Sequence, residues 1–261
     1  MLSVVSFNVL AQAWIDNRLR QEAHDARHLT RSYRIKKQIQ LLKRTKPDIV
    51  LLQEVTPLVL NHYKEELKEY HVPSCFSRMK WQPATPKDPI NGNAVIWRRG
   101  LFAGKAKCDV ICLDERHGNY AAMVTGILAS SNAHIRIISL HLEWGNTEVA
   151  SKQFRNLFER DYVTNHKRVI IGGDFNMGGS NARVFPIIDD IKRHKLTDHV
   201  RSTLRTHPFP DKTEAKTVTH ILSRGLQHQT CELLDGDCPS IGDCLKKYGS
   251  DHYAVLCVFH L

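Results

Sequence analysis

Val169-Ile170-Ile171-Gly172-Gly173-Asp174-Phe175-Asn176 is an apolar run that ends abruptly in two glycines, a carboxylate and an amide. Its β-branched content and short length read as a buried strand that delivers polar groups at its end. In an extended chain alternate residues share a face, so Asp174 and Asn176 point together while Phe175 anchors the other way into the core. Such a strand presents an acid and an amide to one substrate atom. A glycine turn after a core strand is written with the same letters, so the octapeptide has to be weighed against the rest of the chain.

The same design recurs. Leu2 to Leu10 is a strand by its β-branched and aromatic content and carries an amide, Asn8, near its end. Asp48 to Gln53 is a buried strand that runs into Glu54, and Pro57 soon afterwards starts a helix, so Glu54 sits at a tight strand-to-helix junction. His134 to Leu140 runs into His141. At the other end of the chain Ser250-Asp251-His252 opens a strand over Tyr253 to Phe259. A single polar group at a strand end is most often structural; a repeated pattern of them indicates one shared site.

Between these strands the periodicity changes. Ile35, Ile39 and Leu42 recur at helical spacing in Tyr33–Arg44, and Ala150, Phe154, Leu157 and Phe158 do so in Glu148–Tyr162. Helices are also predicted over Leu58–Tyr70 and Asn181–His194. Asn93–Trp97, Cys108–Leu113, Tyr120–Leu128 and His134–Leu140 follow one another with turn residues between, the pattern of a largely antiparallel meander. Gln12 to Arg31 is a long polar loop rich in His and Arg, a candidate substrate-facing segment. Residues 71–92 read as a weak strand and a loop, a loop-rich stretch begins at Thr197-Asp198-His199, Val218 to Leu222 is a short strand, and Gln227 to Gly249 is irregular. No repeat or Gly/Ser linker divides the chain, and its first and last segments both read as buried strands with site residues. Residues 1–261 are therefore expected to form a single domain.

The chain has 261 residues, 42% of them hydrophobic, enough for a substantial core. Lysine and arginine number 37 against 27 aspartate and glutamate, a net charge of +10 that favours a polyanionic partner, nucleic acid first. The seven cysteines (Cys75, Cys108, Cys112, Cys231, Cys238, Cys244, Cys257) are odd in number and form no C-x-x-C pair. They predict free thiols in a reducing compartment, with a metal set of Cys231, Cys238, Cys244 and His228 the weaker reading. Met1 to Trp14 has no basic leader, and no run reaches the length of a transmembrane helix. The expectation is an intracellular monomer, cytoplasmic or nuclear, with no membrane partner.

Asn8, Glu54, His141, Asp174, Asn176, Asp251 and His252 supply carboxylates, amides and imidazoles but no thiolate cluster. A metal among them should be a hard cation, Mg²⁺ or Mn²⁺, held through oxygen. No P-loop and no dinucleotide fingerprint is present. With a basic surface, the fitting chemistry is hydrolysis of a phosphate ester. There a metal neutralises phosphoryl oxygens, an aspartate orients or deprotonates water, and an imidazole shields the developing charge.

Phe7-Asn8-Val9-Leu10, Leu52-Gln53-Glu54-Val55, Ser139-Leu140-His141-Leu142, Gly173-Asp174-Phe175-Asn176 and Ser250-Asp251-His252, in this order, resemble the motifs of the endonuclease/exonuclease/phosphatase superfamily related to deoxyribonuclease I. They span almost the whole chain. The resemblance implies an α+β fold, a four-layer αββα sandwich of two packed, mostly antiparallel sheets with the site at one edge. It makes Glu54 the principal Mg²⁺ (or Mn²⁺) ligand, with Asn8 and Asp251 beside the metal, and Asp174 the residue that positions the attacking water. Asn176 and His141 would bind the scissile phosphate, and His252 would stabilise the pentacovalent state.

One position departs from the pattern. Where the family carries an aspartate that orients the last histidine, Thr217-Val218-Thr219-His220-Ile221-Leu222 offers Thr219. A hydroxyl supports an imidazolium less well than a carboxylate does. The role then goes unfilled, or passes to another acid such as Asp198 or Asp243. Asn8-Val9-Leu10-Ala11-Gln12 and Ser32-Tyr33-Arg34 are similar to the Angel, nocturnin and deadenylase branch. His141-Leu142-Glu143 with Arg155, and Gln53-Glu54-Val55-Thr56-Pro57, are similar to the tyrosyl-DNA phosphodiesterase branch. The expected activity is Mg²⁺-dependent cleavage of RNA or DNA, at single strands or ends, with Trp144 and Trp81 stacking on bases. The alternatives are a phosphatase of inositol phosphates or other small phosphoesters, and a catalytically weakened module that binds nucleic acid or protein.

Overall fold

The computed structural model describes residues 1–73, 77–78, 91–177, 187–200, 204–208 and 217–261. The first sheet contains β1 (Leu2–Asn8), β2 (Ile49–Val55), β3 (Tyr70–His71), β4 (Ser77–Arg78), β5 (Gly92–Arg98), β12 (Gln227–Leu233) and β13 (Val255–His260). Its order is β12-β13-β1-β2-β5-β3, with β4 also paired to β5. The second contains β6 (Lys107–Asp114), β7 (Asn119–Ile127), β8 (His134–His141), β9 (Val169–Asp174), β10 (Thr197–Asp198) and β11 (Thr219–Arg224), in the order β10-β11-β9-β8-β7-β6. Two pairings among these strands are parallel, β1 with β2 and β8 with β9; the rest are antiparallel.

Why the strands read as continuous apolar runs is clear from what each face meets. In β2, Ile49 and Leu51 point between the sheets, against Ile137 and Ile170, while Val50 and Leu52 point outward under Ile39, Leu42 and Leu60. In β9, Ile170 faces inward, and Val169 and Ile171 face outward toward Phe154, Leu157 and Ile191. The outer layers are α2 (Arg31–Thr45) and α3 (Pro57–Glu66) on the first sheet, and α4 (Thr147–Glu159) and α5 (Ile188–Arg193) on the second. A strand buried on both faces has no polar side, so period-two alternation gives way to unbroken Val, Ile and Leu. The result is a helix–sheet–sheet–helix sandwich with three apolar layers.

The two glycines before Asp174 are fitted to this packing. A Cβ on Gly172 would lie 2.6 Å from the Leu51 side chain of the facing sheet. Gly173 has φ +152°, and a Cβ there would lie 1.8 Å from the carbonyl oxygen of Leu140 on β8. One glycine lets the sheets approach; the other lets two parallel strands pair at the edge of the site.

The structure departs from the sequence reading in several places. Gln12 to Arg31 is not an extended loop: it forms a 3₁₀ turn at Gln12–Trp14, the helix α1 (Asn17–Glu22) and a second 3₁₀ turn at Ala26–Leu29. Its Ile15, Leu19 and Leu29 pack with Ile241 and Leu245 of α6 (Ile241–Tyr248). That helix and β12 both lie in the stretch read as irregular, β12 because an exposed edge strand carries mainly polar residues. The helix over Leu58–Tyr70 stops at Glu66, and Tyr70–His71 pairs with β5 instead. Of the helix over Asn181–His194, residues 181–186 lie outside the described residues, and α5 accounts for Ile188–Arg193. Cys231 and Cys257 face each other across β12 and β13 and form a disulfide, contrary to the expectation of free thiols there. The opposed register brings the two together, which no spacing rule on the linear chain reveals. Cys238 and Cys244 are free and buried. Among the described residues no helix is long and apolar enough to cross a membrane.

Candidate active site

Parallel strands end on the same side, and the two parallel pairs set up the site. Asn8 stands beside Gln53 at the ends of β1 and β2, and His141 stands beside Asp174 at the ends of β8 and β9. Asn8 then bridges the sheets: its Nδ2 donates to Glu54 Oε1 at 2.8 Å and to Asp174 Oδ2 at 3.1 Å. Below it Gln53 Nε2 donates to Ser139 Oγ at 3.0 Å, and that hydroxyl donates to the Leu52 carbonyl at 2.9 Å, a second polar tie between the sheets.

Glu54 has φ +59° and lies where the β2–β5 register shifts between Leu52 and Val55. A left-handed residue at a bulge re-aims its side chain, and a non-glycine residue held there is a strained position of the kind found at working sites. The carboxylate is held by Asn8 and by the Ala11 N–H, 2.8 Å from Oε2. Burial raises its pKa, and the nearby charge of Asp251 raises it further, against His141 and the two hydrogen bonds.

Asp174 is the hub. Its Oδ2 lies 3.8 Å from His141 Nε2 and 3.6 Å from His252 Nε2, and its Oδ1 accepts the Asn176 N–H at 3.0 Å. Burial would raise its pKa, but the two imidazoles and the hydrogen bonds from Asn8 and Asn176 hold it below the usual carboxylate value. Asn176, at φ +51°, donates from Nδ2 to the Leu142 carbonyl at 2.9 Å, while Phe175 between them is fully buried, as the alternation of the octapeptide predicts.

The Asp251–His252 turn is fastened to β1. Ser250 Oγ donates to the Asn8 carbonyl at 2.7 Å and accepts the His252 N–H at 3.2 Å. Asp251 is buried, which alone would raise its pKa; the neighbouring imidazoles of His207 and His252 outweigh this and hold it low. Its Oδ1 has no hydrogen-bond partner among the described residues.

All seven residues singled out in the sequence therefore meet at one edge of the sandwich. Others, which the strand-end pattern does not single out, support the site. Arg34 of α2 donates to the carbonyls of Val9 and Leu10, and Gln38 donates to Val9 and Gly249, with Tyr63 OH donating to Gln38 Oε1 at 2.8 Å. These two helical side chains carry the turns that follow β1 and precede Ser250. Their signal was a charged and an amide residue on the buried face of an amphipathic helix. His207, whose Nε2 is 3.6 Å from Asp251 Oδ2, had none.

Neither acid proposed for the place of Thr219 fills it. Asp198 Oδ2 pairs with His220 Nδ1 at 2.7 Å and its Oδ1 accepts the Val200 N–H. Burial opposes a charge on His220, but Asp198 and the Thr217 carbonyl overcome it and raise its pKa. Asp243 sits in the first turn of α6, bonded to Ser240 and paired with His24. Trp144, three residues past His141, is 75% exposed; Trp81 lies outside the described residues.

Comparison with curated protein sequences finds no match. Among solved structures, humanized D. rerio TDP2 is similar with a TM-score of 0.67 and 18% identity, over 100% of this chain and 99% of that chain. ANGEL2, a 2′,3′-cyclic phosphatase, is similar with a TM-score of 0.71 and 15% identity, over 99% and 94%. A mannosyl-6-phosphatase of Bacteroides thetaiotaomicron has a TM-score of 0.72 and 14% identity, over 100% of both chains. At these identities the likeness is one of fold. A family model described as endonuclease/exonuclease/phosphatase matches residues 5–252. Together with the strand-end constellation it covers, this match shows that the chain belongs to the endonuclease/exonuclease/phosphatase family.

Proposed function

We propose that this phosphoester hydrolase cleaves phosphodiester bonds of nucleic acid with a divalent cation, residues 1–261 acting as one catalytic domain. The observation that carries the reading is Asp174 Oδ2, which Asn8, His141 and His252 approach from three sides. A carboxylate so placed, with its other oxygen tied to Asn176, is set to orient a water and take its proton. His141 and Asn176 flank it as donors to the non-bridging oxygens of the phosphate. His252 balances charge on the pentacovalent state as it forms.

The donor set fits a hard cation. Glu54 and Asp251 are two buried carboxylates close enough to repel each other, and Asp251 Oδ1 is unpartnered among the described residues. They would hold Mg²⁺ or Mn²⁺, with Asn8 beside it orienting Glu54. The bound cation supplies neutralisation of phosphoryl charge. Nucleic acid as the substrate rests on the +10 charge and on Trp144, an exposed indole near the site that suits stacking on an unpaired base.

Hydrolysis of single-stranded RNA, single-stranded and duplex DNA, a 5′-tyrosyl DNA and an inositol phosphate, with Mg²⁺ or with EDTA, tests this. Metal-dependent cleavage of a nucleic acid is expected, with Asp174→Asn lowering kcat by at least about 100-fold. Turnover of the inositol phosphate alone would overturn the nucleic-acid reading. Equal rates with EDTA would overturn the metal.

A further inference from the structure

Thr219 leaves the last histidine without the carboxylate expected behind it, and the structure shows what stands there instead. Thr219 lies on β11 opposite Asp174, with its Oγ1 buried and unpartnered among the described residues. His252 Nδ1 is likewise buried and unpartnered. The hydroxyl therefore does not hold the ring, and Asp198 and Asp243 are committed elsewhere.

His207 is against the ring. Its imidazole packs edge-to-face on that of His252, centroids 4.5 Å apart and planes at 87°, and its Nε2 is 3.6 Å from Asp251 Oδ2. The three side chains offer donor atoms within 4.8 Å of one another. The backbone around His207 is tied to both partners. Thr206 Oγ1 accepts the N–H groups of Val218 and Thr219, and the Thr206 carbonyl accepts that of Tyr253. His207 is thus stapled between the strand that carries Thr219 and the segment that carries His252. An edge-to-face contact at this spacing is a preferred aromatic geometry and is favoured beyond the area it buries, so it gives the His252 ring a defined orientation.

We propose that His207 is the positioning residue for the Asp251–His252 pair, doing by ring contact with His252 and its approach to the Asp251 carboxylate what a carboxylate at position 219 would do. His252 is then held with Nε2 toward Asp174, at the 3.6 Å seen here. This rests on the catalytic reading of His252 given above.

The test is kinetic and spectroscopic. On whichever substrate wild type cleaves, His207→Ala should lower kcat about 10- to 100-fold and leave KM within about threefold. Adding Thr219→Asp should restore most of kcat, because it returns a carboxylate to the ring; a merely structural role gives no such rescue. His207→Phe keeps the buried ring and should lose less than His207→Ala, and it carries the comparison if the alanine variant does not fold. Unchanged kcat in both variants would overturn the proposal, as would recovery of His207→Ala by excess Mg²⁺ or Mn²⁺, which would make His207 a metal ligand. A wild type inactive on every substrate would instead defeat the functional reading. Ring-proton NMR then still decides this one: a His207–His252 cross-relaxation peak is required, and its absence rejects the contact.

Discussion

Gly173 and Trp144 stand at opposite extremes of burial, and their substitutions should behave accordingly. Trp144→Ala removes an exposed ring, so stability should stay within about 0.5 kcal/mol. Binding of a single strand should weaken by about 1–3 kcal/mol, read as a rise in KM on single-stranded substrate; an unchanged KM removes the stacking role. Gly173→Ala is the reverse. Its Cβ has no room beside the Leu140 carbonyl, and its φ disfavours any side chain, so the loss should exceed about 4 kcal/mol or prevent folding. A urea titration with a near-native midpoint would refute the packing account. Residues at strand ends were legible because a polar letter after an apolar run is conspicuous. Arg34, Gln38 and His207 were not, because each gains its meaning from a segment distant in the chain.

At the scale of elements, regular burial made some segments plain and its absence hid others. α4 has Ala150, Phe154, Leu157 and Phe158 buried on one face, so its period is visible in the letters. β12 faces solvent along most of its length and looks like loop. α6 lies in the stretch that reads as irregular although its termini are signalled: Ser240 Oγ accepts the Asp243 N–H at the start, and Gly249 at φ +70° closes the end. Ser240→Ala should cost about 1 kcal/mol in urea denaturation. Activity should be unchanged at temperatures where the variant is folded, since the cap touches no site residue; no change in midpoint would mean the cap contributes nothing.

At the scale of the molecule the two sheets are held together by more than apolar packing. His199 follows β10 of the second sheet, donates to or accepts from Ser223 Oγ at 2.8 Å, and stacks on His228 of β12 in the first, ring centroids 4.4 Å apart. Burial, and then the charge of His228, push its pKa down to about 4, against Asp198. The folded state therefore takes up this proton later than the unfolded chain, whose value is near 6.5. The contribution is whole above pH 6.5 and is lost as pH falls toward 4, by at most about 1.4 kcal/mol per pH unit. Urea midpoints across that range should fall less steeply in His199→Gln than in wild type; parallel curves would exclude His199 as a source of acid lability.

What the sequence determined by itself was the buried strands that carry the site and the polar residues at their ends; the exposed edge strand β12 and the short β3 were not among them. Buried β-structure demands apolar runs, and a catalytic group must break such a run to reach a substrate. Its five motifs in order carried the family. Only the tertiary structure decided that Asn8 ties Glu54 to Asp174 across the sheets, that Asp198 serves His220, that Cys231 meets Cys257, and that His207 lies against His252. Each of these depends on strand register and on contacts between residues far apart in the chain, and a side chain's partner there is set by which strands pair, a property of the folded molecule as a whole.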